Sequence, residues 1–210
     1  MQSVDRFVAR NHALKTLLAA SYNLTPNAIL GGPEWICSDH YDILAKTGGG
    51  TNRPSTDEQM AMLRTLIDQR FDLKFHREPK VMSIYTLSIA KSGSKLKPGS
   101  VSEPLINVIY PDHVHLPGRK VTVTELASLL QRVVLDRPVV DKTGLPGTFD
   151  FDLEWTPDDS QFGGQLHPLT DSPKPGLFAA LQEQLGLRLE STKGPVEVLV
   201  IDRVSRPSAN

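Results

Sequence analysis

The chain has a single cysteine, no long apolar run and no excess of either charge. With Cys37 alone, an intrachain disulfide is excluded, as is any zinc or iron-sulfur site that takes several thiolates. No stretch approaches the length that spans a bilayer as a helix, and Asp5, Arg6, Arg10 and Lys15 interrupt the first twenty residues, so no signal core is written there. A soluble chain without membrane insertion is expected. Lys and Arg total 23 against 24 Asp and Glu, a net charge of −1, so no global field recruits nucleic acid or anionic lipid. Gly48-Gly49-Gly50 precedes no Lys-Ser or Lys-Thr pair and reads as a loop, not a phosphate cradle. Neither His40 nor His167 sits near a nucleophile motif.

What is present is an ordinary globular composition, 39% hydrophobic and 22% charged, with 16 prolines and 15 glycines marking many turns. A chain of 210 residues buries roughly 70% of its unfolded surface and needs no metal staple. Leu14, Leu17, Leu18 and Tyr22 form a helical stripe, and Leu126, Leu129, Leu130, Val133 and Val134 form another. Asn11 is the expected N-cap of the first, and Thr122 with Glu125 has capping-box spacing before the second. A third stripe, Leu63, Leu66, Ile67 and Phe71, follows two overlapping capping boxes in Ser55 to Gln59, and a fourth, Leu177, Phe178, Leu181 and Leu185, follows Pro175. Asp72 and Gly186 are placed to end these helices in the left-handed conformation.

The elements recur in order at a spacing of 110 to 114 residues. Tyr41-Asp42-Ile43 answers Phe151-Asp152-Leu153; Phe71, Leu73, Phe75 answers Leu185, Leu187, Leu189; and Tyr85 to Ile89 answers Glu197 to Ile201. The expected class is α+β, as two β-α-β-β-α-β-β units with helices packed on a mainly antiparallel sheet, each helix burying its one apolar stripe. Residues 1–92 form the first unit and 119–210 the second. Between them, 93–118 is a linker with one expected strand, Leu105 to Tyr110. Pro157 to Gly176 lacks any pattern across some twenty residues, a length that marks it as a candidate binding loop.

Two motifs carry apparent chemistry. Asp141-Lys142-Thr143-Gly144 begins like the phosphorylated motif of ion-pumping ATPases, but Leu145 breaks the match and no Gly-Asp-Gly magnesium motif exists, so a turn is expected. Phe149 to Trp155 alternates strictly, placing Asp150, Asp152 and Glu154 about 7 Å apart on one face. That face is expected to be wet, its repulsion relieved by Arg188 and Arg203 on a neighbouring strand. Asp112-His113-Val114-His115 sets two imidazoles on one side of an extended segment. Asp112, His113, His115, Asp150 and Asp152 are thus the candidate metal ligands; no catalytic or cofactor-binding residue and no cofactor is assigned. Cys37 is expected to be a small buried hydrophobe.

Gly31-Gly32-Pro33-Glu34-Trp35, Tyr41 to Lys46, Asp68 to Lys74, Arg137 to Leu145 and Ala180 to Leu187, with Val200-Ile201-Asp202 and the ending Pro207 to Asn210, resemble domain-of-unknown-function family 3738. This is a soil-bacterial family expanded in acidobacteria, and the resemblance covers nearly the whole chain. It implies no known reaction. It implies an extracytoplasmic location, periplasmic or secreted, since members usually carry an export signal. Each half-unit also looks like the short N-terminal domain of secretins and TonB-dependent receptors, an analogy of fold. The function expected is a non-enzymatic envelope module that binds a protein, peptide or glycan. The alternative is a metal-dependent hydrolase with its site between the two halves.

Overall fold

The structure, a computed structural model, describes residues 6–46, 54–168 and 172–207. Among these the fold is mixed α+β with several sheets and five helices. The elements run β1 (Arg6–Ala13), α1 (Leu14–Ser21), β2 (Ile29–Gly31), the single turn α2 (Trp35–Ser38), β3 (His40–Lys46), α3 (Thr56–Phe71) and β4 (Lys74–Ile89). Next come β5 (Lys97–Pro98), β6 (Val108–Ile109), β7 (Val114–Val121), α4 (Val123–Leu129) with a wider π turn (Leu130–Val134), β8 (Val139–Asp141) and β9 (Phe149–Trp155). Last are α5 (Leu177–Ala180), continued by a π turn (Leu181–Leu185), and β10 (Leu187–Arg203). Gly48-Gly49-Gly50 lies outside the described residues.

Two compact units form, the first from two parts of the sequence and the second from one continuous stretch. One comprises residues 1–80 with 195–210, the other residues 81–194. The core of the first gathers Leu14, Leu17 and Leu18 of α1 with Leu63, Ile67 and Phe71 of α3, over Ile29, Ile43, Leu199 and Ile201. In the second, Leu126 and Leu130, then Leu177, Leu181 and Leu185, pack over Leu116, Leu153, Trp155 and Leu87. The helical stripes face the core as amphipathic spacing requires, except at Val133 and Phe178, which are exposed because the helices carrying them widen into π turns after one or two turns.

Local signals set the boundaries. Ser55 accepts from the Glu58 N–H while Glu58 accepts from the Ser55 N–H, and Thr122 and Glu125 make the same reciprocal pair. Asp72 (φ 46°) and Gly186 (φ 65°) both close their helices in the left-handed conformation. A Cβ on Gly186 would stand 2.1 Å from the carbonyl oxygen of Gly93, so contact as well as φ demands glycine there. Asn11 does not cap α1; Ala13 takes the N-cap position with no side-chain bond, and Asn11 sits in the strand with φ 57°. Its N–H donates to the Asp42 carboxylate at 2.8 Å, a use that an asparagine tolerant of the left-handed region permits.

Antiparallel pairs are β1–β3, β7–β9, β5–β9 and β6–β7, but β2–β10 and β4–β8 are parallel. The sheets read β1-β3, β2-β10-β4-β8 and β5-β9-β7-β6. The two strands expected after each second helix are one strand each, of 16 residues in β4 and 17 in β10. Pro79 and Pro195 lie within them where turns would be read, because extended backbone accepts the proline φ where no ladder N–H is required. The Leu105 to Tyr110 run contributes only Val108–Ile109 as strand.

β1–β3 and β7–β9 share one irregularity. Between Ala9↔Ile43 and His12↔Tyr41, Arg10 and Asn11 oppose Asp42 alone; between Gly118↔Phe151 and Val121↔Phe149, Arg119 and Lys120 oppose Asp150 alone. Each is a β-bulge whose second residue has positive φ, 57° at Asn11 and 55° at Lys120. By this register Tyr41-Asp42-Ile43 matches Phe149-Asp150-Phe151, one alternation earlier than the triplet match in the sequence.

Candidate functional site

The candidate residues converge on the outer face of β7 and β9 in the second unit. Phe151, Leu153 and Trp155 point into the core, so the alternation of β9 turns Asp150, Asp152 and Glu154 outward. Each carboxylate is engaged. Asp150 Oδ1 accepts from the Lys120 N–H at 2.7 Å, and Oδ2 accepts from the Ser100 N–H at 3.2 Å and its hydroxyl at 2.9 Å. Asp152 takes both oxygens to Arg119 Nη2 at 3.0 Å, and His115 Nε2 lies 3.0 Å from Oδ1. Arg119 is held by the Gly118 and Phe151 carbonyls at 2.8 and 2.7 Å. Glu154 pairs with Lys174, and His113 Nε2 stands 3.9 Å away.

His113 Nδ1 meets Asp112 Oδ1 at 2.7 Å, and its ring stacks on Tyr110 at 4.6 Å with the planes 7° apart. The structure thus brings His115 to Asp152 and His113 to Asp112, and ties Asp150 elsewhere. All five candidates fall in the unit of residues 81–194. Among the described residues no group of three or more His, Cys, Asp or Glu side chains is arranged to hold a metal ion.

The charges are relieved locally. The Lys120 N–H and the Ser100 hydroxyl hold Asp150 below the usual carboxylate range. Burial raises Asp152, but bonds from Arg119 and His115 outweigh it and the net shift is downward. The Lys174 bond lowers Glu154, and the His113 bond lowers Asp112. The expected relief by Arg188 and Arg203 is not what occurs: Arg188 pairs with Glu190 at 2.8 Å and Arg203 with Asp72. The reason is topological, because the neighbours of β9 are β7 and β5 and not β10. Ser100, Arg119, Lys120 and Lys174 are the partners that sequence reading missed. No local signal in the sequence marks them, because the register that sets Arg119 and Lys120 opposite Asp150 exists only in the fold.

The remaining motifs resolve into structure. Asp141 Oδ1 accepts from the Thr143 N–H at 2.9 Å and hydroxyl at 2.7 Å, and Oδ2 accepts from Thr124 at 3.2 Å, so the ATPase-like tetrapeptide is an Asx turn. Cys37 is exposed, because one helical turn can put either Ile36 or Cys37 inward and Ile36 takes the core. The long loop is anchored at its start: Gln161, fully buried, accepts from the Trp155 indole at 2.7 Å, and the Phe162 ring stacks on Trp155 at 6.2 Å. Its base closes where Thr156 donates to the Pro175 and Lys174 carbonyls, both at 2.9 Å.

Exposed apolar surface lies elsewhere. Val101, Ile106, Val108, Ile109 and Tyr110 are all exposed in the segment joining β5 to β7, with Val101, Ile106 and Ile109 at 65%, 61% and 57%. No described helix is long and apolar enough to cross a membrane. No curated protein and no solved structure matches the chain. One family model does, over residues 15–204, and the chain belongs to that family, Protein of unknown function (DUF3738).

Proposed function

We propose that the chain is a non-enzymatic interaction module of the cell envelope, outside the cytoplasm, built as two copies of one small α+β unit and binding a protein or peptide partner. The observation that carries the reading is the run of exposed apolar side chains from Val101 to Tyr110. Five large apolar residues within ten, interrupted by Glu103 and followed by Asp112, are left exposed, and apolar surface of this amount is what chains keep for contacts. Its aliphatic character favours a protein surface over a glycan, for which stacked aromatics would be the usual platform. Location in the envelope rests on the family resemblance.

The duplication is supported by the paired bulges, the paired left-handed caps, and the equivalence of Leu63, Ile67 and Phe71 with Leu177, Leu181 and Leu185 in their cores. In this reading each copy is of the short N-terminal domain kind, a scaffold that works through contacts. The hydrolase alternative draws no support from the row on β9, whose acids are each held by named protein donors.

The test is capture from envelope extract by the wild-type chain and by an Ile106→Asp/Ile109→Asp variant with an unchanged melting curve. A partner held by the first and lost by the second is the expected result. Equal capture by both removes this surface from the function.

A further inference from the structure

β7 and β9 are flanked in their sheet by β6 and β5, whereas β1 and β3 form a sheet of two strands among the described residues. The segment on β9 docks in a specific way. Lys97 lies opposite Asp150 and Pro98 opposite Phe149, and the Gly99 N–H donates to the Thr148 carbonyl at 2.8 Å. Ser100 then caps Asp150 Oδ2 with its N–H and hydroxyl. Gly99 is obligatory because a Cβ there would lie 2.7 Å from Lys120 Cα at the bulge. Lys97-Pro98-Gly99-Ser100 is thus a recognition sequence read by the bulge and its aspartate.

The first unit carries the same reader, and among the described residues no segment is paired to β3 as β5 is to β9. Arg10-Asn11 opposes Asp42 as Arg119-Lys120 opposes Asp150, and Asp42 Oδ1 takes the Asn11 N–H at 2.8 Å as Asp150 Oδ1 takes that of Lys120. Among the described residues Asp42 Oδ2, the counterpart of the oxygen that Ser100 holds on Asp150, has no comparable serine bond. Along the same strand Leu44 is 71% exposed opposite exposed Val8. We propose that the β3 edge at Tyr41–Lys46 binds an extended peptide of a partner protein, antiparallel, carrying a basic residue opposite Asp42 and then a Gly-Ser or Gly-Thr pair at the bulge. Main-chain hydrogen bonds to the edge would give affinity. Charge complementarity to Asp42 and the glycine requirement would give selectivity. This surface is separate from the Val101–Tyr110 patch, so either proposal can fail alone.

The chain supplies its own probe, the synthetic peptide Lys95–Ser100, KLKPGS. Titrated into the isotope-labelled full chain, it is expected to shift the amide signals of Asn11, Tyr41, Asp42 and Leu44 saturably. Asp42→Asn, which keeps an oxygen for the Asn11 N–H but turns a donor toward the peptide, is expected to weaken binding about tenfold or more. Replacing the peptide serine by alanine or its glycine by valine should do likewise. Any of three results overturns the proposal: no shifts in β1 and β3, shifts confined to β7 and β9, or equal binding by Asp42→Asn. Concentration-dependent self-association that already occupies the edge would assign it to a second copy instead, and would overturn it too.

Discussion

At the scale of single residues, the acids of β9 are fixed points of the sheet. Their downward shifts set a pH dependence. Asp150, Asp152 and Asp112 are lowered from 3.8 and Glu154 from 4.5, so each contributes stability that is fully present above its unfolded value and is lost as pH falls through the lower folded one. Acid melts should therefore show the melting temperature falling from about pH 4.5 downward. Asp150→Asn, which loses the charge but keeps an acceptor for Lys120, should make that fall shallower; an unchanged acid limb would show that Asp150 carries none of it. Core residues make a sharper comparison. Leu181 and Ile67 are fully buried, whereas Leu66 is only partly so. Truncation to alanine should cost about 2–5 kcal/mol at Leu181 and Ile67 and clearly less at Leu66, as read from denaturant melts.

At the scale of elements, several ends of helices were legible, though not the start of α1 at Asn11, and the irregularities of strands were not. Capping boxes at Ser55 and Thr122, and the Gly186 cap, follow from residue types with one dominant local use. A lysine with positive φ at position 120 follows from nothing local, since the bulge is imposed by the strand across from it and by the Asp150 carboxylate. The same holds for the long β4 and β10, where Pro79, Gly194 and Pro195 spell turns and the pairing overrides them. Two variants test the caps. Thr122→Ala should cost about 1 kcal/mol. Gly186→Ala should exceed the ~1–2 kcal/mol of a left-handed alanine because its methyl meets the Gly93 carbonyl. Equal, small losses in thermal melts would deny the close approach.

At the scale of the whole molecule, the mixed α+β class and most of each helical stripe could be read from the sequence because periodicity survives without context. Which strand neighbours which could not. Arg188 and Arg203 looked like partners for the acids only while β10 was taken to lie beside β9. The candidate site suffered the same way: Asp112, His113, His115, Asp150 and Asp152 are chemically apt, but their donors from Ser100, Arg119 and Lys174 appear only once the chain is folded. Surface function was still harder to read, since Leu105 to Tyr110 has the composition of a buried strand and most of it lies exposed. That exposure is the basis for reading the chain as a module that works by contact.

The most direct check is hydrogen–deuterium exchange on the purified chain, alone and with the partner it captures from envelope extract. Added protection over Val101 to Tyr110, with the β7–β9 face unaltered, is the predicted result. Protection absent from that segment and centred on Asp112 to His115 and Asp150 to Glu154 would contradict the account.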